Sequence, residues 1–225
     1  MAEYDKVLET AQQALRLNPE SGAGYGQLLN GYFAIERLDE AKAAYDKAVA
    51  LHKDNEWFHE QRYYVAFLQH DEAAMQQQAE WAVGRPEDAA PMLMAQSETA
   101  AYRGDLSKAR DLMQRAGQQA KEVPNTELVA SIMLQAATRE GEFGNRELAR
   151  KQANDGLALK AGRDQMILAA IAFARAGDVA EAQKLADKLN HGFPLDPPVP
   201  FGRRDCRGQS LCLFPRARHE PAKGC

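Results

Sequence analysis

The stretch from Tyr25 to Ala48 constrains the fold more than any other, because it holds two amphipathic helices separated by a short polar turn. Tyr25, Leu28, Leu29 and Tyr32 recur at helical spacing, and after the turn Leu38, Ala41, Tyr45 and Ala48 do the same, so each run carries one apolar stripe. Asp39 stands at the start of the second run, where its carboxylate can accept backbone N–H bonds. Ala41 and Ala48 are small enough to let the two helices approach closely. One helical hairpin cannot bury both of its faces, which predicts stacked copies.

With Ala41 as the small residue at the helix crossing, equivalents fall at Val7, Ala73, Ala109, Ala149 and Ala182, at spacings of 34, 32, 36, 40 and 33 residues. Gly104, Gly144 and Gly177 each stand five residues before a crossing alanine, where a tight turn favours a residue without Cβ. Pro19 and Pro194 end copies, with Lys53 in that place in the middle one. These residues resemble the tetratricopeptide repeat, a helix-turn-helix unit with small residues at the crossing and a proline after its second helix. The resemblance implies an all-α protein, a right-handed α-solenoid of stacked antiparallel helix pairs over residues 1–195. A partial first repeat, Tyr4 to Leu17, precedes about five hairpins, with Val7, Ala11 and Ala14 where Ala41, Tyr45 and Ala48 come next. Starting in mid-repeat, the array is expected to be a fragment of a longer protein.

Charge narrows the partners. The chain carries a net charge of −4, but residues 197–225 hold 6 Lys plus Arg against 2 acids, which leaves 22 against 30 in residues 1–196. A body of about −8 lacks the basic stripe that a nucleic-acid partner requires. No apolar run is long enough to span a bilayer, and MAEYDKVLETAQQ is an acidic amphipathic helix rather than a signal peptide, so no membrane partner and a cytoplasmic location are expected.

The second hairpin, Trp57 to Val83, concentrates the aromatics Trp57, Tyr63, Tyr64, Phe67 and Trp81, which at helical spacing read as core between repeats. In the third, Pro91 is compatible only with the first turn of its helix. After FPLD the composition changes: residues 196–225 are a non-repetitive tail with all three cysteines and half of the ten prolines. Cys206, Cys212 and Cys225 have no C-x-x-C spacing and only His219 nearby, so no metal site is expected. An odd count argues against a disulfide scaffold. The runs LDEAKAAYDKAVA, YVAFLQHDEAAMQQQAEWAVGRPE, AYRGDLSKARDLMQRA and FPLD resemble the tetratricopeptide arrays of bacterial multidomain serine/threonine kinase or winged-helix signalling proteins. In those proteins an aromatic-rich helix follows FPLD, so the tail from Pro197 is read as disordered or non-native.

The resemblance implies a scaffold that binds a protein or peptide in a groove lined by the first helix of each hairpin. Register places Gln27, Asn30, Phe33, Arg62, Val65, Glu98 and Tyr102 there. A carboxylate clamp of Lys and Asn is disfavoured, since Gly26 stands at the Lys position beside Asn30. His52, His59, His70 and His191 form no catalytic or metal motif, and Asp39-Glu40 and Asp71-Glu72 are explained by helix starts. A non-enzyme with no cofactor is expected, the alternative to groove binding being self-association through exposed end helices.

Overall fold

The computed structural model describes residues 2–122 and 124–192, so the tail, the end of the array at residues 193–195, Pro194 and all three cysteines lie outside the described residues. Eleven helices are present in the described region. They are α1 (Ala2–Leu17), α2 (Gly22–Ala34), α3 (Leu38–Ala50), α4 (Glu56–Leu68), α5 (Glu72–Trp81), α6 (Pro86–Tyr102), α7 (Leu106–Ala120), α8 (Thr126–Glu142), α9 (Arg146–Leu159), α10 (Arg163–Arg175) and α11 (Val179–Gly192).

Local chemistry sets many of the helix starts. Ser21, Asn55, Asp71, Asp105 and Asn125 each accept a backbone N–H three residues on, at 3.0–3.3 Å, satisfying a donor that the first turn leaves open. Asp39 departs from expectation. It lies one residue inside α3, whose N-cap Arg37 makes no side-chain cap bond, and its Oδ1 accepts from Gln69 Nε2 at 3.0 Å. Pro91 also lies deeper than the first turn, in the interior of α6; its missing N–H deprives the ladder of one bond.

Each hairpin turns through one residue of positive φ: Glu36 (61°), His70 (57°), Gly104 (84°), Gly144 (82°) and Gly177 (78°). Five residues beyond each lies a buried residue of the second helix: Ala41, Met75, Ala109, Ala149 and Ala182. Met75, not the exposed Ala73, therefore holds the crossing position of the second hairpin. The spacings from Ala41 become 34, 34, 40 and 33 residues, and the irregularity expected between the second and third copies disappears. A flexible thioether takes a position that the pattern reserves for a small residue.

Among the first helices of the hairpins α2 packs on α4, α4 on α6 and α8 on α10, while the third and fourth hairpins are joined by α7 on α8. No two of the second helices, α3, α5, α7, α9 and α11, share a comparable contact. The first helices therefore form the inner layer and the second helices the outer one of a curved stack. α1 packs on α2 through Leu8 against Gly31 and Leu15 against Gly24, where an added Cβ would come within 2.8 Å of the leucine side chain. Ala11 is buried as expected and Val7 partly so, but Ala14 is exposed, because Leu8 and Leu15 face the neighbour instead.

Candidate interaction groove on the inner helix layer

The inner layer can be aligned by counting back from the turns. Six residues before each positive-φ residue stand Asn30 on α2, Tyr64 on α4, Glu98 on α6, Thr138 on α8 and Ile171 on α10. The polar members of this row meet in the middle of the array. Tyr64 donates its hydroxyl to Glu98 Oε2 at 2.7 Å. One turn earlier on α4, the Glu60 carboxyl is pushed up to about 7, first by burial and then by the negative charges of Glu98 and Glu56. Burial also raises the Glu98 carboxyl, against the pull of the Tyr64 bond and the Arg139 charge. Glu56 is raised by burial and by Asp88, with which it shares a hydrogen bond.

Arg139 answers this acidity from α8. Its Nη1 donates to Ser97 Oγ at 2.7 Å, and Ser97 in turn donates to the Ala109 carbonyl at 2.5 Å. Both side chains are buried, and burial lowers the guanidinium's affinity for its proton even though Glu98 and Glu140 favour the charged form. Beside it, Arg110 grips Glu140 with two bonds of 2.7 and 2.6 Å while Asn145 adds a third at 2.8 Å. These contacts bridge α6 and α7 to α8 where the repeat lengthens to 40 residues. Glu98 and Glu60 thus lack the bidentate partner that Glu140 has. Ionising both leaves a strip of costly charge facing the groove.

Gln27 and Asn30 are exposed on α2, Phe33 packs against the aromatic core of the second hairpin, and Tyr102 is 52% exposed with its ring edge-to-face to Phe67 at 5.5 Å. Arg62 and Val65 are corrections. Arg62 is buried and points to the α4–α5 turn, with Nη1 3.5 Å from Gln69 Oε1 and Nη2 3.7 Å from Asp71, while Val65 is fully buried. Both arise from placing the crossing at Ala73: shifting by two residues moves Arg62 to Tyr64 and Val65 to Phe67. Sequence reasoning missed Glu60, Tyr64 and Arg139. The first two were recoverable from an unbroken 34-residue spacing through Met75.

The expected aromatic core is present, with Tyr63, Tyr64 and Phe67 buried and Trp57 and Trp81 partly so. It also contains His59, 34 residues after Tyr25 and stacked on Trp81 at 3.7 Å between centroids. The ring nitrogens bond Asp54 at 2.9 Å and Gln78 at 2.8 Å, and Tyr45 lies 3.1 Å away, so this imidazole is tied into the α3–α4–α5 junction. Among the described residues no cluster of three or more His, Cys, Asp or Glu could hold a metal ion, and no helix is long and apolar enough to cross a membrane.

No protein-family profile matches the chain, and no curated protein matches it. Solved structures do. The chain is similar to BtubC (BKLC) from P. vanneervenii at 14% identity, covering 91% of this chain and 94% of that one with a TM-score of 0.56. It is also similar to PilW, described as a widely conserved type IV pilus biogenesis factor, at 14% identity over 88% and 89% of the two chains with a TM-score of 0.51. At such identities the likeness concerns architecture, and with the helix pairing above it establishes an α-solenoid of stacked antiparallel hairpins.

Proposed function

We propose that this solenoid is a non-catalytic interaction scaffold that holds a peptide segment or partner helix along its inner layer, with a lysine or arginine of the ligand meeting Glu60 and Glu98. The observation that carries this reading is the pair of half-buried, incompletely neutralised carboxylates on adjacent inner helices, Glu98 bonded by the Tyr64 hydroxyl. A cation brought there relieves a desolvation cost that the free protein bears, and the exposed amides of Gln27 and Asn30 on α2 continue the same face for backbone contacts. The likeness to arrays of bacterial signalling proteins supports a cytoplasmic regulatory setting, with the groove recruiting a protein partner.

The test uses a set of fluorescein-labelled extended peptides carrying spaced Lys or Arg, with Glu-substituted counterparts as controls, titrated against the full chain. The cationic peptides are expected to bind at least about tenfold more tightly, a difference of ~1.4 kcal/mol. Glu60→Gln with Glu98→Gln should remove that preference without unfolding the array, and Asn30→Ala should weaken binding further. Affinity that ignores all three substitutions removes the groove assignment. Light scattering over a concentration series addresses the other reading, since a rising mass without peptide indicates self-association. That reading draws on Leu17 and Val179, which are 90% and 71% exposed on α1 and α11.

A further inference from the structure

Tyr45 of α3, Asp54 of the α3–α4 turn, and Gln78 and Trp81 of α5 meet around one buried imidazole, that of His59 on α4. His59 Nε2 lies 2.9 Å from Asp54 Oδ2, and Nδ1 lies 2.8 Å from Gln78 Oε1 and 3.1 Å from the Tyr45 hydroxyl. That hydroxyl donates to the same Gln78 oxygen at 3.1 Å. Both ring nitrogens therefore face oxygen acceptors. A neutral imidazole offers one donor nitrogen and one acceptor, whereas an imidazolium donates from both. The ring also lies flat on Trp81, with 14° between the planes, where the face of an indole attracts a cation.

Asp54 supplies the balancing charge, and the other charged groups around the ring are engaged elsewhere. Arg62, one turn along α4, points to Gln69 and Asp71, and Asp46 of α3 bonds Lys42. Arg85 lies over the Trp81 ring at 4.2 Å. On α5, Glu72 pairs with Arg103 and Glu80 accepts from Gln76, while α2 carries no Asp, Glu, Lys or Arg. From α6, Asp88 and Glu98 act on Glu56 and Glu60 instead. We infer that His59 is a proton-operated latch on the second hairpin, which as an imidazolium ties α5 to α3 and α4 through Gln78, Trp81 and Asp54. When the Nδ1 proton leaves to solvent, the Tyr45 hydroxyl turns from Gln78 to the bare nitrogen, and the buried Gln78 oxygen loses both of its donors. α5 is the element that this loosens, since it has only 10 residues and its contact with α6 is slight.

The experiment records long-range proton–nitrogen spectra of the full chain from about pH 5 to about pH 9, which read both ring nitrogens of each histidine. His59 is the set absent from His59→Gln or, where that variant does not fold, the set in nuclear Overhauser contact with the Trp81 indole. Hydrogen exchange over the same range reads α5. The His59 ring is expected to carry protons on both nitrogens at the acid end. Protection of the α5 amides, corrected for intrinsic exchange, should fall at least about tenfold as the Nδ1 proton is lost. Asp54→Asn removes the balancing charge from a partly exposed position and should move both changes together to lower pH. Glu60→Gln should leave them in place, which separates the latch from the inner carboxylates. A ring that stays neutral across the range, α5 protection that stays flat while His59 titrates, or a transition that Asp54→Asn does not displace would overturn the inference. So would a transition that disappears in Glu60→Gln.

Discussion

The last two hairpins and the middle two solve the same packing problem with different chemistry. In α8–α11, Leu134, Ala137, Ala153, Leu168, Ala169, Phe173 and Leu185 form an apolar core beside the buried Arg139, Glu140 and Gln165, and glycines bring backbones together. At Gly141 an added Cβ would stand 2.9 Å from Arg175 Cβ and 3.1 Å from the Ala176 nitrogen. In α4–α7 the buried contacts are bonded side chains: Tyr63 to Thr99 at 2.8 Å, Tyr64 to Glu98 at 2.7 Å, His59 to Gln78 at 2.8 Å. Apolar packing is non-directional, although α8 and α9 also bury Gln135 Oε1 and Gln152 Oε1 without a hydrogen-bond partner. A buried polar network fixes one geometry but holds ionisable groups where water cannot fully serve them. The middle of the array therefore buries more hydrogen-bonded and ionisable side chains between its helices than the C-terminal end does.

The contrast is broken most severely by opening the apolar half. Phe173 is 1% exposed at the centre of the α8–α11 core, so Phe173→Ala is expected to cost about 3–5 kcal/mol. Urea denaturation measures this, and hydrogen exchange should show the loss concentrated in α8–α11. A cost below about 1 kcal/mol would mean the core there collapses around the gap.

Gly141→Ala probes the close approach of α8 to α10. Alanine raises helix propensity, but its Cβ meets backbone of α10 at 3.1 Å, so a net destabilisation of about 1–3 kcal/mol is expected in thermal melts. A stabilised variant would show that the two helices can separate without loss.

The polar half should reveal itself through pH. Because Glu60 holds its proton up to about 7 in the fold, against an ordinary value of 4.5, the folded state binds more protons than the unfolded chain between those values. Its contribution to stability is complete below pH 4.5 and is lost as pH rises through about 7. Glu60→Gln should flatten that slope, a change of at most about 3 kcal/mol across the window, followed by chemical denaturation at successive pH values. Glu140 behaves oppositely. Arg110 and Asn145 hold its carboxyl below the ordinary range, so its contribution is lost on acidification instead. An unchanged pH profile in Glu60→Gln would remove Glu60 from the buried set.

The smallest effect is expected from Tyr64→Phe, which deletes one hydroxyl and leaves Glu98 without its donor. A loss of about 0.5–1.5 kcal/mol is expected. It should grow at alkaline pH, where Glu98 is ionised and the missing bond is charge-assisted, and shrink at acid pH. A loss independent of pH would show that the hydroxyl serves packing alone.

Much of the hairpin pattern was legible before any coordinates. Asp71 announced a helix start, and Gly104, Gly144 and Gly177 announced turns, because each acts on a few adjacent backbone groups. The second hairpin misled for a specific reason. His70 adopts a left-handed φ of 57° where the others of its kind downstream use glycine, and Met75 takes the place of a small residue, so the nearby Ala73 drew the register two residues early. Glu98, placed from Ala109, falls in the row of Asn30 and Tyr64, whereas Arg62 and Val65, placed from Ala73, are buried.

The sequence by itself determined helix, turn and order of stacking, since periodicity and capping are properties of neighbours along the chain. Only the tertiary structure decided that Glu60 and Glu98 face each other's charge, that Arg139 reaches Ser97 across 42 residues of chain, and that His59 sits among Asp54, Gln78 and Trp81. Desolvation and pairing depend on which helix lies alongside. Residues one repeat apart in sequence become neighbours only when the inner layer closes.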